Sequence, residues 1–526
     1  MVCEVKKTDS NITGLSFAEE VCLKQLPVLA VDGFDPIWYQ LEPNSYSDFG
    51  GEFTKVARSP INPSRQNQKG VITDLDASGG YQTDFTSTNL QRLLQGFFFA
   101  SAREKPTTAP MNVAPNLITG VTAADDKYAT TATAIAFNKA GLLVKASGFA
   151  VAANNGLHVV VSADANDITV GDGLVNEAAP PAVAKVEVVG YQFAAADAAI
   201  VVAGSIVSLT STAAVLAALN LIVGEWLFIG GDTLATNQFA NNLGFARIKS
   251  IAAGVIVFDD VAFTGAPVSE VSTGKTIRIF FGMVIRNEKL PALIVKRSYQ
   301  FERTLGVNAD GDPQAEYLEG SVANELTINI PTAEKLTADL SFVACDNSQR
   351  TGEVGDVIKS LLAGATIIAA LGEDALNTTS NVYRLKMYVH DALSSNPSAL
   401  FGYVTEGNIS INNGVTPNKA IGVLGAFDVS SGNFVVSGSL TAYFTTIEAV
   451  RAVRNNADVG FNAILTSENK GQILDIPLLG LGGGRLDVQK DQSIMVPLEP
   501  QAAECAAGYT MMYNSFAYLP DVAMPE

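Results

Sequence analysis

One arrangement recurs in this chain: an alternating strand that runs directly into an amphipathic helix. It occurs as "GGYQTDFTSTNLQRLLQGFFFA" at 79–100 and as "NFVVSGSLTAYFTTIEAVRAVRN" at 433–455. Tyr81, Thr83 and Phe85 alternate with Gln82 and Asp84, as on a strand with one buried face. Leu90, Leu93, Leu94, Phe97 and Phe98 then recur at helical spacing. In the second copy Phe434, Val436, Leu440 and Phe444 share one face, and Val435, Ser437, Ser439, Thr441 and Tyr443 the other. Ile447, Val450 and Val453 give its helix a narrow apolar stripe. Thr88 with Gln91, and Thr445 with Glu448, have the spacing of capping boxes. Neither copy carries a residue pattern that points to catalysis, so the duplication calls for a structural explanation.

The remainder reads as β-rich. Apolar residues make up 48% and charged residues 17% of 526 residues, enough for large cores, and Val, Ile, Thr, Gly and Ala are spread evenly. Residues 1–50 read as irregular, and 52–70 as a long loop or extended hairpin. Val71 and Leu75 then share one strand face, and Asp74 and Asp76 the other. Residues 101–119 read as a Pro- and Thr-rich linker. Two similar segments follow, 136–173 and 219–260, with Asn154-Asn155-Gly156 and Asn241-Asn242-Leu243-Gly244 as matching turn chemistry. They read as a tandem pair of small β-modules. Longer strands return at 277–345. Residues 352–376 read as helix or linker, with "VGDVIKSLLAGATIIAAL" as the helical part, and a second β-rich unit runs from 382.

Chemistry is sparse. His158 and His390 have no metal-ligand neighbours at suitable spacing. "GLGGGR" at 480–485 lacks the Lys-Ser/Thr of a phosphate loop, and "GVNADGDPQAEY" at 306–317 fails the calcium-loop pattern at Gly306 and Tyr317. No GxSxG elbow is present. No catalytic, cofactor or metal site is expected. Cys3, Cys22, Cys345 and Cys505 form no CxxC pair, which leaves at most a Cys3–Cys22 bridge. The N-terminal segment has no apolar signal core, and the most apolar window, 213–231, is interrupted by Glu225 and glycines. The formal net charge of −19 opposes nucleic-acid binding.

"NISINNGVTPNKAIGVLGAFDVSSGNFVVSGSLTAYF" at 408–444 resembles the signature of tail tube proteins of long-tailed, non-contractile bacteriophages. So do "LSFAEE", "EFTKVARSPINPSR", the 79–100 stretch, and "YQFERTLG" with "EYLEGSVANELTINI", in that order. The resemblance implies a mainly β fold: two tail-tube β-sandwich or barrel domains, each flanked by a helix, plus the two inserted modules. Expected boundaries are 1–110 and 275–345 for the first domain and 111–274 for the insert, with its modules at about 120–185 and 195–274. A helical linker at 346–381 and a second domain at 382–526 complete the expectation. It also implies a virion protein assembled in the host cytoplasm, in trimeric rings that mimic hexamers and stack into a tube. Partners would be other copies of itself, the tape measure protein, tail tip and terminator proteins, and double-stranded DNA passing without sequence-specific contact.

If the apolar strand faces pack on the helices, Asp74, Asp76 and Asp84 face the lumen, with Asp428, opposite Val423 and Phe427, as their counterpart. An acidic outer surface that confers solubility is the alternative. Ring stacking is assigned by resemblance to the 53–68 loop, with Phe53, Arg58, Asn62 and Arg65 as its candidates. The rival readings are a tube subunit of a contractile tail or secretion-type injection device, and a β-rich carbohydrate-binding or carbohydrate-hydrolysing surface protein.

Overall fold

The computed structural model describes residues 12–59, 61, 66, 68–111, 118–131, 134–171, 173–308 and 310–525. The chain is mainly β, with few and short helices. It divides into two compact units: 1–100, 290–376 and 407–438 form one, and 101–289, 377–406 and 439–526 form the other. These units cut across the segments drawn from the sequence. The stretch 407–438 groups with the N-terminal strands, and the insert groups with the C-terminal ones.

The first unit is organised by one 18-residue strand, Pro313–Ile330. Its first half pairs with Tyr299–Val307 and Asp346–Arg350, and its second half with Thr337–Ala344 and the 407–412 part of Val404–Asn412. The switch falls at Gly320, where φ is +64° and the register with Tyr299–Val307 jumps between Leu318 and Ser321. A left-handed residue lets one strand turn from one layer to the other. Val71–Asp84 pairs with Thr337–Ala344 on one side and Pro43–Val56 on the other. Helix Gln91–Phe98 lies on the long strand, and its Phe97 meets Phe342, which stacks on Phe301 at 4.5 Å. The pleat places Leu75, Ala77, Tyr81, Thr83 and Phe85 in the core and leaves Asp74, Asp76, Gln82 and Asp84 outside.

Two expectations fail in this unit. Residues 12–50, the described part of the stretch read as irregular, are not so: Gly14–Glu19 pairs with Ile37–Leu41 and with Tyr299–Val307, a partner nearly 290 residues away that no local pattern announces. The segment read as a helical linker holds no α-helix. It forms a 3-10 turn, Lys359–Leu361, and a strand, Thr366–Ile368, parallel to Ile37–Leu41. Gly355, Gly364 and Gly372 all sit at positive φ, and Thr366, Ile367 and Ile368 are β-branched, so a helix is opposed along its whole length.

In the second unit, Lys470–Gly483 plays the organising part. Val459–Ser467 lies on one side, with Met512–Phe516 and Met495–Ala502 along successive halves of the other. Helix Glu448–Arg454 packs on it. Among the described residues the insert consists of two modules with a common six-strand plan, the second carrying in addition a two-residue edge strand, Glu270–Val271, on Ala198–Ala203. The first is Ile118–Thr122, Lys127–Thr130, Leu142–Ser147, Gly156–Ala163, Asp167–Val170 and Lys185–Gln192. The second is Ala198–Ala203, Ile206–Ser211, Trp226–Ile229, Gly244–Ala252, Val255–Phe263 and Arg278–Phe280. In each, the spatial order is first, second, fifth, fourth, third, sixth, and the two sixth strands pair through Gly190 and Phe280.

The repetition reaches single hydrogen bonds. Buried Asn154 donates to Glu177 and accepts from the Val175 amide; buried Asn242 donates to Glu270 and accepts from the Val268 amide. Glu177 also accepts from the amides of Ala150 and Val151, and Glu270 from those of Ala240 and Asn241. Gly156 and Gly244 share φ values of +143° and +144°. The 101–111 stretch, read as linker, is stapled to this unit: Thr108 exchanges two hydrogen bonds with Val186, and buried Lys105 pairs with buried Glu225 at 2.8 Å.

Candidate functional site

The acids and the described arm residues singled out in the sequence fall on exposed or partly exposed elements, whereas those of the first helix are buried. Pro43–Val56 and Val71–Asp84 form an antiparallel hairpin of two 14-residue strands that closes at Val56 and Val71. Its base is anchored. The Arg303 guanidinium lies 4.6 Å from the Phe49 ring centroid and 5.4 Å from that of Tyr46, donates to the Phe49 carbonyl, and pairs with Glu316. Its outer part is exposed among the described residues: 52–59 and 71–73 all are, including Phe53 at 42% and Arg58. Asn62 and Arg65 lie outside the described residues. The hairpin is therefore an arm with a fixed root, whose described outer residues include exposed Phe53 and Arg58.

Each of the four candidate acids has a lysine beside it. Lys419 bridges Asp74 and Asp76; its hydrogen bond holds the Asp74 carboxyl below the usual carboxylate range, and the two acids raise the lysine. Lys335 sits 2.7 Å from Asp84, which also accepts from the Asn44 amide. Lys296 lies 3.8 Å from Asp428. These pairs cancel much of each acid's field beyond a Debye length. Asp428 departs from expectation in a second way: Phe427, read as its buried neighbour, is 53% exposed, and Val423 is exposed too. A register shift between Asn418 and Lys419 breaks the alternation in the hairpin Thr416–Lys419 and Ala426–Ser430, which buries Ala426 and Val429 instead.

The helices differ from each other. Leu90, Leu93, Leu94 and Phe97 are fully buried. In the second helix Ile447 is 43% exposed, Val450 and Val453 are half-buried, and the small Ala449 and Ala452 face the core. The expected capping boxes are not formed. The first helix is preceded by a reciprocal pair two residues earlier, in which Thr86 and Asn89 each donate a backbone amide to the other's side chain. Glu373 accepts from the Thr86 hydroxyl and the Thr88 amide. Ile447, with no side-chain cap, occupies the N-cap of the second.

Sequence reasoning did not find the lysine partners, because Lys419 and Asp74 are 345 residues apart and no local pattern links them. It also missed a buried polar core in the second unit. There Arg247, 1% exposed, pairs with Asp259 at 2.8 Å and Asp475 at 3.0 Å and donates to the Tyr388 hydroxyl. Burial pushes the Asp475 carboxyl up to about 6, against the pull of Arg247. Arg384 and Lys386 neutralise the buried Asp260. Positive and negative groups balance, as a stable buried network requires. His158 packs edge-on to Tyr128, and His390 contacts the Pro477 carbonyl. Among the described residues no cluster of three or more His, Cys, Asp or Glu could hold a metal ion, and no helix is long and apolar enough to cross a membrane.

Compared with family models, the chain matches that of the phage tail tube protein over residues 10–218 and 256–502, well beyond half its length. No curated protein matches it. The interval between the matched stretches lies within the second inserted module. A β-rich chain whose candidate acids and arm residues lie on exposed or partly exposed elements agrees with that match. The chain belongs to the phage tail tube protein family, whose members are structural and assemble with copies of themselves into the tube of the virion tail.

Proposed function

We propose that this chain is the tube subunit of a long, non-contractile bacteriophage tail. Its two strand–helix blocks stand for two tube domains, so three chains supply the six blocks of one ring. Rings stack, and the tube conducts genomic DNA from capsid to host. The tape measure protein occupies the lumen during assembly, and tip and terminator proteins close the two ends.

The observation that carries this reading is the doubled block. Each compact unit has one helix packed on one long, shared strand, and the family match falls in two stretches. Heterologous contacts close into a ring when the rotation per block divides a circle, and a fused pair halves the number of chains needed. The hairpin arm, with Phe53 and Arg58 on its exposed outer part, reaches the next ring. Asp74, Asp76, Asp84 and Asp428 line the lumen together with their lysines, so repulsion of DNA rests on the net charge of −19 more than on these four acids. The inserted modules point outward, since an inward module would block passage.

Electron microscopy of the purified protein tests the proposal. Stacked rings with a central hole and three chains per ring are expected. Compact monomers at every concentration would overturn it.

A further inference from the structure

The stretch "LLAGATIIAALG", 361–372, contains no charged residue and no proline. All five of its large aliphatic side chains lie in water: Leu361, Leu362, Ile367 (43%), Ile368 and Leu371 (74%). A soluble chain with a net charge of −19 has no solvation reason to present such a run. The nearest charge on each side is bonded within the chain, while Asp374, one residue further on, is exposed. Lys359 binds Glu319 and Gln300, and Glu373 accepts from Thr86 and Thr88.

The backbone is open as well. Thr366–Ile368 pairs in parallel with Ile37–Leu41, and among the described residues no other strand packs alongside it. The Thr366 amide donates to the Pro36 carbonyl. In a parallel ladder alternate residues face the neighbour, so the amide and carbonyl of Ile367 point to the open edge. An uncovered apolar edge of this kind is a template for another strand, and natural sheets normally block it with charge, proline or a bulge. Within 361–372 there is no charge and no proline of the chain's own to block it; the nearest charge is Asp35, beside Gly364, and the strand's short length of three residues is the one device present.

Resting on the tube reading above, we infer that 361–371 is the lateral contact between neighbouring copies within a ring, with a strand of the next copy adding to the open edge at Ile367. A second copy is the occupant for two reasons. The chain belongs to a self-assembling family. Copies that each carry −19 repel one another, and an uncharged apolar surface is where their approach is least opposed.

Hydrogen exchange tests this on the full chain, comparing unassembled and assembled protein. Exchange in the peptide 361–371 is expected to slow on the order of tenfold or more on assembly. Ile367→Lys, at a position already exposed in the single chain, is expected to raise the concentration needed for assembly by roughly tenfold or more while leaving the thermal midpoint unchanged. Assembled rings in which 361–371 exchanges as fast as in the free chain would overturn the inference and leave the tube reading standing. A wild-type chain that never assembles would remove the tube reading, and this contact with it.

Discussion

Gly320 shows what a single residue fixes. At φ +64° it lets one strand serve two sheets, and a Cβ added there would lie 3.1 Å from the Cys345 side chain. Gly320→Val should cost about 1–3 kcal/mol from backbone strain alone, measured by denaturant unfolding. Arg247 is the second such residue. Arg247→Met strips Asp475, fully buried, of its closest counter-charge, and a loss of about 3–5 kcal/mol is expected in the same measurement. Neither role was legible in the sequence. Gly320 looks like any strand glycine, and Arg247 meets Asp475 across 228 residues. The acids at 74, 76 and 84 were placed on the correct strand face because the pleat is a local rule, whereas their lysines are long-range partners.

Among elements, the two inserted modules invite a paired test. Asn154→Ala and Asn242→Ala each remove the shared pair of hydrogen bonds, Asn242→Ala also removes one to the Val268 carbonyl, and each should cost about 1–3 kcal/mol, Asn242→Ala toward the upper end. A larger loss for Asn154→Ala would mean that the repeated bonds do unequal work. The hairpin carrying Lys419 should respond to acid. The Asp74 carboxyl is held below the unfolded-chain value of about 3.9, so the clamp's contribution is fully present above roughly pH 4 and is lost as pH falls through the lower folded-state value. Amide exchange across 416–430, corrected for intrinsic rates, should stay level from about pH 7 to 5 and rise on further acidification; Lys419→Met should abolish that step. The helix at 91–98 was legible because four large residues repeat at one helical spacing. The helix at 448–454 was only half legible, since alanines rather than its valines face the core. The 354–371 run was misread because an apolar stretch fits either period; its paired isoleucines and spaced glycines were the signal for strand.

At the scale of the whole molecule, the proposed role rests on shape and charge rather than on an active site. In the ring we propose, six blocks from three chains would leave fewer free ends than six from six, and each chain would bring its two blocks at a fixed ratio. On that proposal the arm and the 361–371 edge have separate duties, one between rings and one within them. Arg58→Glu should therefore shorten tubes while leaving single rings intact, as counted in negative-stain images, and Ile367→Lys should lose the rings themselves. The family was legible from the ordered succession of apolar patterns, since those patterns encode sheets. How contacts divide the chain was not, because 407–412 pairs with Glu325–Ile330 about 80 residues upstream and Asn413 bonds the Phe97 carbonyl 316 residues upstream. The most direct measurement is a symmetry-determined reconstruction of the assembled protein. Three chains around a hole with a net negative wall is the predicted result; six whole chains per ring, or a positively lined bore, would contradict the account.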